Sequence, residues 1–102
     1  KHTKVCWAFI ASADQAHTHS SSGPYGYDPK AEEFDKMIYS LIEKNKIGDI
    51  VRIDKGIIDR AKPDSIWQML ILVGVLKKSK LRLNELCYEC PTYFGMLIAS
   101  YT

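Results

Sequence analysis

Two histidines one residue apart, His17 and His19, stand in the stretch ASADQAHTHSSSGPYGYDP that runs from residue 11 to 29. Imidazole titrates near neutral pH, so either ring could act as a general base or acid, or ligate a metal through a neutral nitrogen. Asp14, three residues before His17, could orient that ring or balance its charge. A His-x-His pair in a polar loop is equally an ordinary solvent-exposed pair, and the spacing leaves both readings open.

Cys87-Tyr88-Glu89-Cys90 is a lone Cys-x-x-Cys pair. Structural zinc needs a second pair of ligands, for which only His2, His17 or His19 could supply imidazoles. Two thiols three residues apart on an extended strand would point to opposite faces. Buried structural thiols are therefore the favoured reading. Tyr25 and Tyr27, in GPYGYDP, could form a lid or touch an aromatic substrate, though packing is the plainer role. Asp64 has a plain structural role near the start of a helix, where a carboxylate complements the dipole, and a metal-ligand role is also open to it.

The elements that must position these residues are partly legible. Residues 4–12, KVCWAFIAS, read as a buried strand because β-branched and aromatic residues run almost unbroken. The loop at about 13–28 follows, punctuated by Gly23, Pro24 and Gly26, and loops of that length inside a compact domain are usually functional or disordered. A helix is predicted with Asp28 as its N-cap and Pro29 at its first position, presenting Phe34, Ile38, Leu41 and Ile42 on one face and ending near Asn45. Residues 47–61 allow one or two short helices broken near Gly56. Pro63 and Asp64 introduce a nearly all-apolar helix reaching about Lys78, expected at the centre of the fold. LRLNELCYE and YFGMLIASY close the chain as strands. The order suits a layered α/β architecture, a sheet with flanking helices, in which sites form at loops after the C-terminal ends of strands.

A chain of 102 residues holds one domain at most. With 46% hydrophobic and 25% charged residues it has an ordinary globular composition, and a net charge of +2 gives no electrostatic footprint for nucleic acid. IWQMLILVGVL is far shorter than the roughly 20 residues that cross a bilayer, so no membrane partner is expected. An odd number of cysteines, 3, in apolar surroundings suits reduced thiols and a cytoplasmic location. The chain opens without Met and enters an apolar run at once, which reads as a piece of a longer protein.

Four segments resemble the C-terminal part of the LigB-type class III extradiol ring-cleavage dioxygenases, a family that includes the Memo-like proteins. SADQAH is similar to the family's strand-end motif, GPYGYDPKAEEFD to the following loop and helix start, DSIWQMLILVGVL to the apolar helix, and YECPTYFGMLIASY to the final strand region. The resemblance implies that residues 1–102 are the C-terminal portion of one LigB-like α/β domain, of an oxidoreductase that opens a catecholic or related aromatic ring with dioxygen. It implies Fe(II), or another divalent ion such as Zn, held mostly by two histidines of an N-terminal portion that this chain does not contain. His17 matches the histidine that closes the strand-end motif, which implies an acid/base role toward the substrate hydroxyl and bound oxygen. His19 has no counterpart. The carboxylate ligand falls among Pro63, Asp64 and Ser65, of which Asp64 is the carboxylate. The chain alone is then expected to be inactive, its partners being the aromatic substrate, dioxygen and its own N-terminal portion; a homo-oligomer is compatible with this. The alternative is a Memo-like binding or signalling protein with the same fold and no ring cleavage.

Overall fold

The computed structural model describes residues 5–102. His2, one of the imidazoles weighed beside the cysteine pair, and Lys4, at the head of the expected first strand, lie outside the described residues.

Helix α1 spans Lys30–Glu43. It begins one residue later than expected, yet Asp28 does the capping work, because its Oδ1 accepts a hydrogen bond from the Lys30 N–H at 2.9 Å. Asn45, at φ 57°, takes the left-handed conformation that ends the run. Ala31, Phe34, Asp35, Ile38 and Ile42 form its buried face. Each large apolar side chain removed from water there stabilises the fold by about 1.5–3 kcal/mol.

A short 3₁₀ helix at Ile47–Arg52 and helix α2 at Lys55–Ala61 follow. The break falls at Ile53 and Asp54, not near Gly56, which lies inside α2. Lys62, left-handed at φ 53°, terminates α2. Helix α3 then runs Ile66–Lys77. Both α2 and the 3₁₀ helix pack on α1, and α3 packs on the 3₁₀ helix.

The central position expected for α3 is corrected by its exposure. Only Met69 is buried, while Trp67 is 78% exposed and Ile71 59%. An apolar surface all round a helix can be covered only by elements on every side, and the described residues supply them on one side.

Strands β1, Leu83–Glu89, and β2, Met96–Tyr101, pair antiparallel with Cys87 opposite Ile98 and a register shift between Leu83 and Glu85. Helix α1 packs against β1. The fold is thus α/β, helices with a two-stranded antiparallel sheet.

The first strand is the second correction. Residues 5–12 form no strand, and Trp7 and Ile10 are more than 80% exposed. The pairing that was expected there occurs just downstream, inside the expected loop. Residues 14–19 run between two neighbours. On one side the Gln15 N–H donates to the Gly95 carbonyl and the Gly95 N–H to the Ala16 carbonyl, both at 3.0 Å, and the His19 N–H donates to the Tyr93 carbonyl at 3.1 Å. On the other side the His17 N–H donates to the Ala61 carbonyl at 2.8 Å and the Asp64 N–H to the Asp14 carbonyl at 3.1 Å. Gln15, Ala16 and Thr18 are buried in consequence. No helix among the described residues is long and apolar enough to cross a membrane.

Candidate functional site

The ribbon at 14–19 carries both histidines and gives them different surroundings. His17 Nδ1 lies 2.9 Å from the Lys62 carbonyl oxygen. A carbonyl only accepts, so Nδ1 carries the proton and the neutral ring keeps its lone pair on Nε2. Lys62, not Asp14, therefore orients this imidazole; Asp14 instead pairs through its backbone with Asp64. Three aromatic rings enclose His17. Phe94 stacks on it at 5.5 Å between centroids with 16° between planes, Tyr25 meets it edge-on at 5.9 Å, and Tyr93 is tilted at 6.0 Å.

Gly23 sets how closely the chain approaches Tyr93. A Cβ at Gly23 would lie 2.5 Å from the Tyr93 Cβ, so only glycine lets the 20–23 turn close over that ring. Tyr25 and Tyr27 are largely exposed, and Tyr27 pairs through its backbone with His19.

Asp64 belongs to the same ribbon as His17. Residues 14 to 17 run antiparallel to 64 to 61, with Asp14 opposite Asp64 and the His17 N–H bonded to Ala61. Asp64 is exposed, and its carboxylate makes no hydrogen bond among the described residues. It fits a single oxygen donor to a metal. No group of three His, Cys, Asp or Glu side chains converges among the described residues, so these residues fit one donor of such a centre and not a whole one.

The buried thiols expected from the sequence are not found. Cys6 and Cys87 are exposed and Cys90 is partly so, and all three are free. Cys90 lies just past the end of β1, where burial and then the negative charge of Asp35 push its thiol up. A thiol held protonated is a poor nucleophile.

His19 was expected in a flexible loop; the structure pins it. Its Nε2 lies 2.7 Å from Asp35 Oδ2, and the Tyr88 hydroxyl donates to the same oxygen. Asp35 Oδ1 accepts from the Ala16 N–H at 2.9 Å. Asp35 is 2% exposed. Burial first, and then the Asp35 hydrogen bond, push the Tyr88 phenol far above its ordinary range, so it remains a donor. His19, Lys36, Tyr39, Tyr88 and Cys90 line a cavity of about 560 Å³ over this carboxylate. The signal for Asp35 was present in the sequence, since it sits between Phe34 and Ile38 on the apolar face of its helix. A carboxylate there must be paired. Nothing comparable marks Tyr88 as its partner.

No family model matches the chain. The chain is similar to Protein CA_C1420 of Clostridium acetobutylicum, at 33% identity over 81 residues, which are 79% of this chain and 17% of that protein. The chain thus spans under a fifth of the length of the relative it matches, and that relative's name states no activity.

Proposed function

We propose that this chain is the C-terminal part of an extradiol ring-cleavage oxidoreductase, with a LigB-like layered domain completed by residues outside it. The substrate class is a catechol or related aromatic compound, and His17 is the acid/base. One observation carries this reading. His17 is an imidazole with its proton fixed on Nδ1 by the Lys62 carbonyl and its Nε2 free, set among three aromatic rings.

That arrangement supports a defined proton task. A phenolic hydroxyl brought to Nε2 could lose its proton to the ring, since the Nδ1–H bond to Lys62 accommodates the imidazolium without rotation of the side chain. Phe94, Tyr93 and Tyr25 would pack on a planar substrate and limit water around it. A divalent ion, Fe(II) in this reading, would supply the activation of dioxygen when bound. Asp64 is the donor this chain could contribute.

The test uses the complete protein, loaded with ferrous ion and mixed with catechols under air. A new visible absorbance from the ring-opened product supports the reading. A protein that folds, binds iron and yields no such product with any catechol overturns it in favour of a Memo-like binding role.

A further inference from the structure

Asp35 is the one buried charged side chain among the described residues, and the proposed proton transfer does not use it. A carboxylate on the apolar face of a helix is costly unless every lone pair is committed. Its donors come from both sides of His17. The Ala16 N–H, one residue before, takes Oδ1, and the His19 Nε2–H, two residues after, takes Oδ2 together with the Tyr88 hydroxyl. Between these anchors His17 is drawn the other way, its N–H to the Ala61 carbonyl and its Nδ1–H to the Lys62 carbonyl. The segment is thus stretched between α1 and the end of α2.

We infer that Asp35 is the positioning residue for His17. By holding Ala16 and His19 on one carboxylate it fixes the backbone between them, which keeps the His17 Nδ1–H on Lys62 and its Nε2 free. His19 is then an arm of this clamp, its Nε2–H committed to Asp35. Tyr88 ties the clamp to β1. The effect on turnover rests on the proposed acid/base role of His17; the effect on the His17 ring does not.

The experiment is nuclear magnetic resonance of the complete protein labelled in its histidine ring nitrogens, which reads the tautomer of each ring. The wild type is expected to show His17 as Nδ1–H and His19 as Nε2–H. In Asp35→Asn the side-chain carbonyl can keep Ala16, but the amide NH₂ now faces His19, which must accept. His19 is therefore expected to switch to Nδ1–H while His17 is unchanged. In Asp35→Ala both anchors are lost. His17 is expected to become a mixture of tautomers, and kcat on a catechol to fall roughly 10- to 100-fold with KM little changed, as for a slightly misplaced catalytic group.

An Asp35→Ala protein that folds and keeps the His17 signature overturns the inference. So does an Asp35→Asn protein in which His19 stays Nε2–H, and that variant decides alone if Asp35→Ala does not fold. If the wild type turns over no catechol but the ring signatures move as expected, the ring-cleavage reading fails and the positioning role stands.

Discussion

Gly95 presses its backbone against the carboxylate of Asp35. A Cβ built on Gly95 would collide with Asp35 Oδ2 and lie 2.8 Å from the Tyr88 hydroxyl oxygen. Gly95 is also the residue that exchanges two backbone hydrogen bonds with Gln15 and Ala16. The missing side chain is therefore what allows the strand-like 14–19 segment, α1 and β1 to meet at one polar point.

Gly95→Ala is expected to destabilise the fold by about 1–3 kcal/mol, the usual cost of overpacking, because the oxygen it meets accepts from two donors, its carboxylate is anchored by a third at Oδ1, and it cannot step aside. Denaturant unfolding of the complete protein measures it. A variant as stable as wild type, with the Ala16 amide still protected from hydrogen exchange, would show that the contact is not as tight as described.

The two histidines should separate by what they damage. His17→Ala is expected to lower ring-cleavage turnover roughly 10²- to 10⁴-fold, the range for a positioned acid/base, with fold and iron content retained. His19→Ala removes a donor from the buried Asp35 carboxylate, so its main effect is on stability, with a cost of about 1–3 kcal/mol. Turnover, iron content and unfolding midpoint are measured for both. A larger turnover loss in His19→Ala at equal stability, or loss of iron in His17→Ala, would refute this division of roles.

The sequence showed where the helices lie because their signals are local. Pro29 and Asp28 mark the start of α1, Pro63 and Asp64 the approach to α3, and the Phe34, Ile38 and Ile42 spacing names the buried face. What it hid depends on partners. VCWAFI has the composition of a buried strand, yet strand formation needs neighbours, and the described residues pair 14–19 instead. The apolar helix was placed at the centre on hydrophobicity alone, while how much of it is covered depends on what packs around it. At the candidate site, His17 was singled out by a resemblance, but its orientation by a backbone carbonyl of residue 62 leaves no trace in side-chain types. Asp35 was readable from its face; the Tyr88 hydroxyl, 53 residues away, was not.

Asp28 and Arg60 give a prediction at acid pH. Arg60 Nε donates to Asp28 Oδ2 at 2.8 Å, and this bond, followed by that of the Lys30 N–H, holds the Asp28 carboxyl below its ordinary value of 3.8. A lowered folded-state value means stability that is present above the unfolded value and is lost as pH falls through the folded one. Asp28→Asn should therefore be less stable than wild type at neutral pH, and the gap should narrow as pH falls below the ordinary carboxyl value of 3.8 and close once the folded-state carboxyl is protonated. Added salt should also narrow it, since the pair is solvent-accessible. Unfolding curves across pH check this, and a gap that persists unchanged into strong acid would contradict it.

Tyr88 governs the opposite limb. Its phenol is held protonated in the fold, first by burial and then by donation to Asp35, well above its ordinary value of 10.0. A raised folded-state value gives stability that is complete below the unfolded value and declines as pH rises above it, because the unfolded chain releases a proton that the folded chain keeps. Stability should therefore fall above about pH 10, with up to one proton of that slope due to Tyr88. Two other groups contribute to the same limb, since burial also raises Tyr101 and Cys90. Tyr88→Phe separates them. At neutral pH it should cost about 1.5–3 kcal/mol, the worth of a hydrogen bond to a charged acceptor. Above pH 10 it should decline less steeply than wild type, retaining the share of Tyr101 and Cys90. Unfolding free energies of both proteins from neutral to strongly alkaline pH make the comparison. Parallel curves would mean that the Tyr88 proton is not held by the fold, and that Asp35 is satisfied without it.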